Sequence, residues 1–227
     1  MILGVIPARL NSTRFPSKVI FPLKGKPIIE HVYDKALQSD LLSKVIVAVD
    51  SEETKNVINC QNIMMTSNKH QSGTDRVAEV ANNFDCDIVV NIQGDEPGID
   101  PLLIDQLITL FDDPNVEMAS IASTDLQKDD LNNDNVVKVN LDKENNAISF
   151  IRNNLNPDLT YYRHIGIYAY RKNTLNLFTS LSQSDNEKNH RLEQLRALDN
   201  NIAIKLLISD FSHRSIDVKE DLKNYEN

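Results

Sequence analysis

Arg9, Arg14 and Lys18 carry the chain's first chemistry. The apolar run Ile2–Ile6 leads into Pro7-Ala8-Arg9-Leu10-Asn11-Ser12-Thr13-Arg14-Phe15-Pro16-Ser17-Lys18, and no Asp or Glu appears before Glu30. Guanidinium forks and an ammonium match phosphate oxygens in charge and geometry, so the three cations suit a strongly anionic group such as a nucleoside triphosphate. The Ser, Thr and Asn between them add hydrogen-bond donors. The plain alternative is a solvated loop with chance charges. Its position just after a first strand favours a ligand, because open α/β sheets bind at the carboxyl ends of their strands.

A second stretch brings the opposite charge. Val89-Val90-Asn91-Ile92-Gln93-Gly94-Asp95-Glu96-Pro97 reads as a buried strand ending in a glycine turn with adjacent acids. Asp95 at a strand end is a rigid place for a magnesium ligand, and Gly94 lets backbone approach a ligand closely. Magnesium takes one or two carboxylates plus substrate phosphates and water, so no dense acidic cluster is needed. Alone, such an acid is as well read as a turn or cap residue. Near the C-terminus Asp217 offers a second carboxylate, although by itself it reads as the N-cap of a helix over Val218–Lys223. Two familiar phosphate loops are missing. No Gly-x-Gly-x-x-Gly follows the first strand, and Leu23-Lys24-Gly25-Lys26-Pro27 has Pro where a P-loop needs a hydroxyl, so it reads as a hairpin-like turn before a helix.

The bulk numbers bound the partners. With 227 residues the chain can bury a sizeable core, and its 41% apolar and 25% charged content is ordinary for an enzyme. The formal net charge of −9 argues against nucleic acid as a general partner but leaves room for a local cationic loop. Cys60 and Cys86 have no paired-ligand spacing and read as free thiols in a reducing compartment. No apolar run approaches membrane-spanning length and no signal-peptide pattern opens the chain, so the expectation is a cytoplasmic protein.

The elements that must hold these residues alternate. Val45–Val49, Ile63–Met65 and Ile88–Ile92 read as strands, while Ile28–Gln38, Glu52–Ile58 and Thr74–Asn82 carry helical spacing. Pro101–Phe111 reads as a helix capped by Asp100. The middle changes grain: Met118–Ala122, Val136–Leu141 and Ala147–Ile151 read as strands around the acidic, Asn-rich segment Leu126–Asn135. Asn153–Thr160 reads as a flexible loop, Ile165–Tyr170 as a strand, Asn186–Leu198 as one amphipathic helix and Ile202–Ile208 as a last strand. The expectation is an α/β fold with a mostly parallel, Rossmann-like sheet flanked by helices. It is read as a single domain over 1–227, with a small β-rich inserted subregion at about 118–160 serving as a dimerisation or lid element.

Seven blocks together resemble the sugar-acid cytidylyltransferase family, most closely its 3-deoxy-manno-octulosonate branch. They are IPARLNSTRFPSK, GKPIIEHV, HQSGTDRVAEV, VNIQGDEP, HIGIYAYR, RLEQLRAL and SIDVKEDL, spread over nearly the whole chain. The resemblance implies a nucleotidyltransferase-type fold and magnesium-dependent transfer of CMP from CTP to an acidic 3-deoxy sugar for lipopolysaccharide precursor synthesis. It implies a homodimer. Arg9, Arg14 and Lys18 would bind the triphosphate, Ser72 and Arg76 would help recognise cytidine, and Asp95 and Asp217 would coordinate magnesium. Lys18, Arg14, Asp95 and Asp217 form the implied catalytic set. Gln93, Arg152, His164, Tyr168, Glu193 and Gln194 would contact the sugar acid, with Arg152 at its carboxylate. Without the resemblance, Tyr168 reads as strand packing, His164 as a satisfied strand histidine and Glu193 as a solvated helix face.

Three departures bear on the acceptor. The family's Gly-Val-Asp-Thr-Pro-Glu-Asp is Ser215-Ile216-Asp217-Val218-Lys219-Glu220-Asp221 here, its Phe-Ser-Arg is Phe150-Ile151-Arg152, and the Asn153–Thr160 loop is short. They leave an amino-substituted octulosonate or another sugar acid open as acceptor. A non-catalytic nucleotide-sugar binding protein is the more distant alternative.

Overall fold

The computed structural model describes residues 1–10, 15–212 and 214–225. The chain forms two compact units, Met1–Asp105 with the C-terminal segment, and Gln106–Ser212.

In the first unit the strands are β1 (Ile2–Ala8), β2 (Pro22–Leu23), β3 (Lys26–Pro27), β4 (Lys44–Val49), β5 (Ile63–Met65) and β6 (Ile88–Asn91). The helices α1 (Ile28–Ala36), α2 (Glu52–Val57) and α3 (Gly73–Ala81) fall between them, and α4 (Pro101–Thr109) follows. The strand order is β6-β1-β4-β5, every pairing parallel. Leu3, Val5, Ile6, Val47, Ala48, Val89 and Val90 are wholly buried, as the continuous apolar runs of a doubly covered parallel sheet require. Helices α1 and α3 pack on β1. Ser51 and Ser72 cap α2 and α3 with their side chains, and Ser72 with Asp75 completes a capping box. The segment 22–27 is the expected hairpin: β2 and β3 pair antiparallel, with Lys24 and Gly25 at φ 48° and 88° as such a tight turn requires.

In the second unit β7 (Met118–Ser123), β8 (Lys138–Leu141), β9 (Ala147–Ile151), β10 (Tyr162–Arg171) and β11 (Ile204–Ser209) carry α5 (Lys128–Leu131), α6 (Lys172–Ser180), α7 (Asp185–His190) and α8 (Leu195–Asp199) between them. Strand β11 runs parallel to β7, whereas β10 is antiparallel to β7 and to β8, and β8 pairs antiparallel with β9. The β7–β10 ladder shifts register between Ile165 and Ala169. Ser120, wholly buried on β7, donates across that irregularity, its Oγ 3.2 Å from Ile165 O and 2.9 Å from Ile167 O. The side chain thus supplies contacts the interrupted ladder does not.

Three local expectations are corrected. The single helix expected over Asn186–Leu198 is two short ones, α7 and α8, because Arg191 closes α7 in the left-handed region at φ 53°. Glu193 consequently lies on the turn between them, half-buried, and not on a solvated helix face. The C-terminal turn is a 3-10 helix over Lys219–Tyr225, and Asp221 within it accepts the N–H groups of Asp217 and Val218 just before it. The helix α6, with Leu175 and Phe178 buried, was not anticipated.

Candidate active site

Strand ends of the first unit assemble an ionic cluster. After the residues 11–14, among which Arg14 lies outside the described set, Phe15 is buried and Ser17 adopts φ 55° ahead of a 3-10 turn over Lys18–Ile20. That turn carries the Lys18 side chain inward, leaving the residue only 7% exposed. Its Nζ donates to Asp95 Oδ2 at 2.6 Å and stands 3.8 Å from Asp217 Oδ1. Thus three residues widely separated in sequence meet, two carboxylates beside one ammonium. The backbone joins the two acidic segments directly, for Ile216 N–H donates to Asp95 O at 2.9 Å. An apolar cluster of Phe15, Leu23, Ile28, Ile216 and Leu222, flanked by Phe21 and Tyr225, packs the C-terminal segment against the start of the Lys18 turn.

Gly94 has a reason other than ligand access. A Cβ there would lie 3.0 Å from the Pro7 carbonyl oxygen, so the glycine lets the β6 turn close against the end of β1. Beside it Gln93 Nε2 donates to Asn91 Oδ1 at 2.9 Å, which fixes the orientation of its side-chain amide.

Arg76 is buried and already engaged: its guanidinium donates to Thr66 Oγ1 at 2.5 Å and to Asp50 Oδ2 at 3.1 Å. Burial pulls its pKa down, with the Asp50 charge opposing and Arg9 adding to the depression, so Arg9 lies within electrostatic reach of it. Asp50 also accepts the Leu10 N–H at 3.3 Å, which ties the mouth of the cationic loop to α3. Asp50 was missed in the sequence, although an acid directly after the apolar strand Val45–Val49 was a usable signal. Ser72 Oγ accepts the Asp75 N–H at 3.1 Å as helix cap, which leaves its own proton available. Arg9 is exposed.

The second unit carries a row of aromatic rings on and beside β10. His164 and Tyr168 sit on one face of β10 with ring centroids 5.4 Å apart, continuing to Phe150 on one side and Tyr170 on the other. His164 Nε2 is 3.0 Å from Ser120 Oγ. With the serine proton directed at a β10 carbonyl, the ring must donate from Nε2, which makes Nδ1 its acceptor. Burial, reinforced by the charges of Arg152 and Arg163, lowers its pKa to about 3. The Tyr168 hydroxyl is buried and has no hydrogen-bond partner among the described residues. Burial and then the Glu193 charge push that phenol well above its ordinary value, against a smaller opposing pull from the Ser120 hydroxyl. Gln194 is buried, and Glu193 lies 3.8 Å from the guanidinium of Arg196. Arg196 is itself fixed by two bonds to Glu187, at 2.8 and 2.6 Å, and lies over the Phe178 ring. Arg152 donates to Asp134 O at 2.7 Å, and its own carbonyl accepts from the buried Lys138 Nζ at 2.5 Å. Ser120, Arg196 and Lys138 escaped the sequence reading because a lone serine or a buried cation inside an amphipathic run carries no spacing signal.

Among the described residues no three His, Cys, Asp or Glu side chains gather as a metal-binding group. Asp95 and Asp217 still fit magnesium: both are hard oxygen donors, and both already reach the same positive charge on Lys18. No described helix is long and apolar enough to cross a membrane.

A model of the cytidylyltransferase family matches residues 3–206. The solved structure of CMP:2-keto-3-deoxy-manno-octonic acid synthetase complexed with CTP is similar at a TM-score of 0.91 and 33% identity, over 98% of this chain and 95% of that one. Together with the site, this defines an α/β enzyme of the nucleotidyltransferase class. Relatives named 3-deoxy-manno-octulosonate cytidylyltransferase include one from Pelobacter propionicus, 39% identical over 97% of this chain and 94% of its own. Another, from Thermodesulfovibrio yellowstonii, is 40% identical over 96% and 94%. The chain belongs to the cytidylyltransferase family, in its 3-deoxy-manno-octulosonate branch.

Proposed function

We propose that the enzyme transfers CMP from CTP to the anomeric hydroxyl of 3-deoxy-manno-octulosonate and releases pyrophosphate. The observation that carries this reading is the Lys18–Asp95–Asp217 cluster, a buried ammonium and two carboxylates joined at the strand ends of a cytidylyltransferase. Relatives named for this sugar acid, and the similar structure complexed with CTP, support it.

In this reading Arg9, Arg14 and Lys18 bind the triphosphate. Asp95 and Asp217 hold magnesium, which when bound polarises the phosphoryl oxygens and offsets charge developing on them. The sugar oxygen bonds to the α-phosphorus in line as the bond to the bridging oxygen of pyrophosphate breaks, and the hydroxyl proton passes to solvent. No protein nucleophile is needed. The cations stabilise the departing pyrophosphate. Ser72 donates toward the cytosine, and Arg76 acts from beneath it by holding Asp50 and the loop at Leu10. Gln93, His164, Tyr168, Glu193 and Gln194 receive sugar hydroxyls, and Arg152 faces the sugar carboxylate. The buried Tyr168 hydroxyl and the uncharged His164 ring favour neutral hydroxyl partners on that side. By the resemblance the protein is a homodimer, and the free thiols Cys60 and Cys86 support a reducing, cytoplasmic setting.

Pyrophosphate release with magnesium, each nucleoside triphosphate in turn and a panel of sugar acids tests the proposal. CTP with 3-deoxy-manno-octulosonate should be fastest, and the product should carry the mass of the CMP-sugar. Equal rates with UTP would remove the base assignment, while a preference for the amino-substituted octulosonate or a nine-carbon acid would reassign the acceptor.

A further inference from the structure

We infer that Asp221 is a positioning residue that aims Asp217 at the cation shared with Asp95. The inference rests on the magnesium role proposed for that pair. Residues 215–221 contain no proline to stiffen the turn, and Val218 and Lys219 offer no side-chain acceptor for its backbone. Asp221 supplies one. A single oxygen, Oδ2, accepts the N–H of Asp217 at 2.7 Å and of Val218 at 2.9 Å, while Asp221's own N–H donates to Val218 O at 3.1 Å. On the other side of Asp217, the Ile216 N–H is bound to Asp95 O at 2.9 Å, and Ile216 is wholly buried. The backbone is therefore held immediately before Asp217 by the segment carrying Asp95, and at and after it by Asp221. A carboxylate side chain can rotate about only two bonds, so pinning its backbone on both sides sets where its oxygens can reach. The observed reach is 3.8 Å to Lys18 Nζ, against 2.6 Å for Asp95. Asp217 thus stands farther from the shared cation than Asp95 does, on a backbone that Asp221 holds.

The test separates aim from stability. Asp221→Ala removes the acceptor, Asp221→Asn keeps one oxygen able to accept both N–H groups, and Asp221→Glu keeps the charge while displacing the oxygen by a methylene. For each, the magnesium concentration giving half-maximal turnover is measured, together with the affinity for manganese in the presence of CTP by electron paramagnetic resonance, and the melting temperature. The expected result is a rise of about tenfold in the metal requirement and a similar loss of manganese affinity in the Ala and Glu variants, most of it recovered in Asn. Variants that differ only in melting temperature, with an unchanged metal requirement, would overturn the inference. Should Ala fail to fold, Glu against Asn decides it by the same criterion. Asp217→Asn is the control: a shift there with none in Asp221→Glu refutes the positioning role alone. An unchanged metal requirement in Asp217→Asn refutes the magnesium reading and this inference with it.

Discussion

The two units handle charge in opposite ways. In the first, the site is a set of ion pairs: Lys18 with Asp95 and Asp217, and Arg76 with Asp50. In the second, the residues assigned to the sugar include two rings and an amide, with His164 kept neutral and Tyr168 holding its proton, beside the charged Arg152 and Glu193. Arg196 and Lys138 are present there too, but they serve as internal braces bonded to Glu187 and to backbone carbonyls. The difference follows the chemistry of the proposed substrates. A triphosphate is bound by opposite charge, whereas sugar hydroxyls are distinguished by neutral donors and acceptors in fixed positions.

The largest effect should come from Asp95→Asn. It removes one of two carboxylates around the shared cation while leaving the side-chain volume nearly unchanged, so turnover should fall at least about a hundredfold with the fold intact by circular dichroism. Near-normal turnover at saturating CTP and magnesium would remove Asp95 from the ionic set.

Next come Lys18→Ala and Arg14→Ala. A charge-assisted contact is worth roughly 1.5–3 kcal/mol, so the specificity constant for CTP should drop about ten- to hundredfold in each. The sugar KM should move little. A changed sugar KM with an unchanged CTP constant would invert the comparison between the units.

Tyr168→Phe sharpens the contrast from the other side. Deleting a buried hydroxyl that lacks a partner should leave the free enzyme as stable as before, or more stable by about 1 kcal/mol in urea titration. The same deletion should raise the sugar KM several-fold and leave the CTP KM alone. A clear loss of stability would mean that the hydroxyl is a structural group.

The last effect is one of pH. The folded-state pKa of His164 lies near 3, below the ordinary 6.5. Between those values the unfolded chain takes up a proton that the folded ring refuses, so stability should decline as pH falls from about 6.5 toward 3. His164→Asn should flatten that part of the profile in chemical denaturation; an unaltered slope would assign it to other groups.

The ionic unit was the more legible in the sequence. Its strands are unbroken apolar runs, and the cations of 9–18 stand out because acids are missing there, so β1, β4, β5 and β6 follow from local pattern, whereas the pairing of Lys18 with Asp95 shows only in the fold. Arg76 was recognised by its block, but its engagement with Asp50 and Thr66 needs three segments brought together and has no linear trace. The second unit hid more. Arg191 in a left-handed conformation split a helix whose apolar spacing continues through the break, and this moved Glu193 onto a turn. The state of His164 depends on Ser120, forty-four positions away on β7, and on a register shift that alternation alone does not reveal. The hold on Asp217 was hidden in the sequence because its brace, Asp221, acts from four residues on.

The most direct test of this division of labour is substrate discrimination in paired variants. The ratio of specificity constants for plain over amino-substituted octulosonate would be measured at fixed CTP in the wild type, Lys18→Ala, Tyr168→Phe and His164→Asn. The account predicts a ratio unchanged within about twofold in Lys18→Ala, despite its slower rate, and a shift of about tenfold in at least one of the two β10 variants. A shift in Lys18→Ala with both β10 variants unchanged would contradict it.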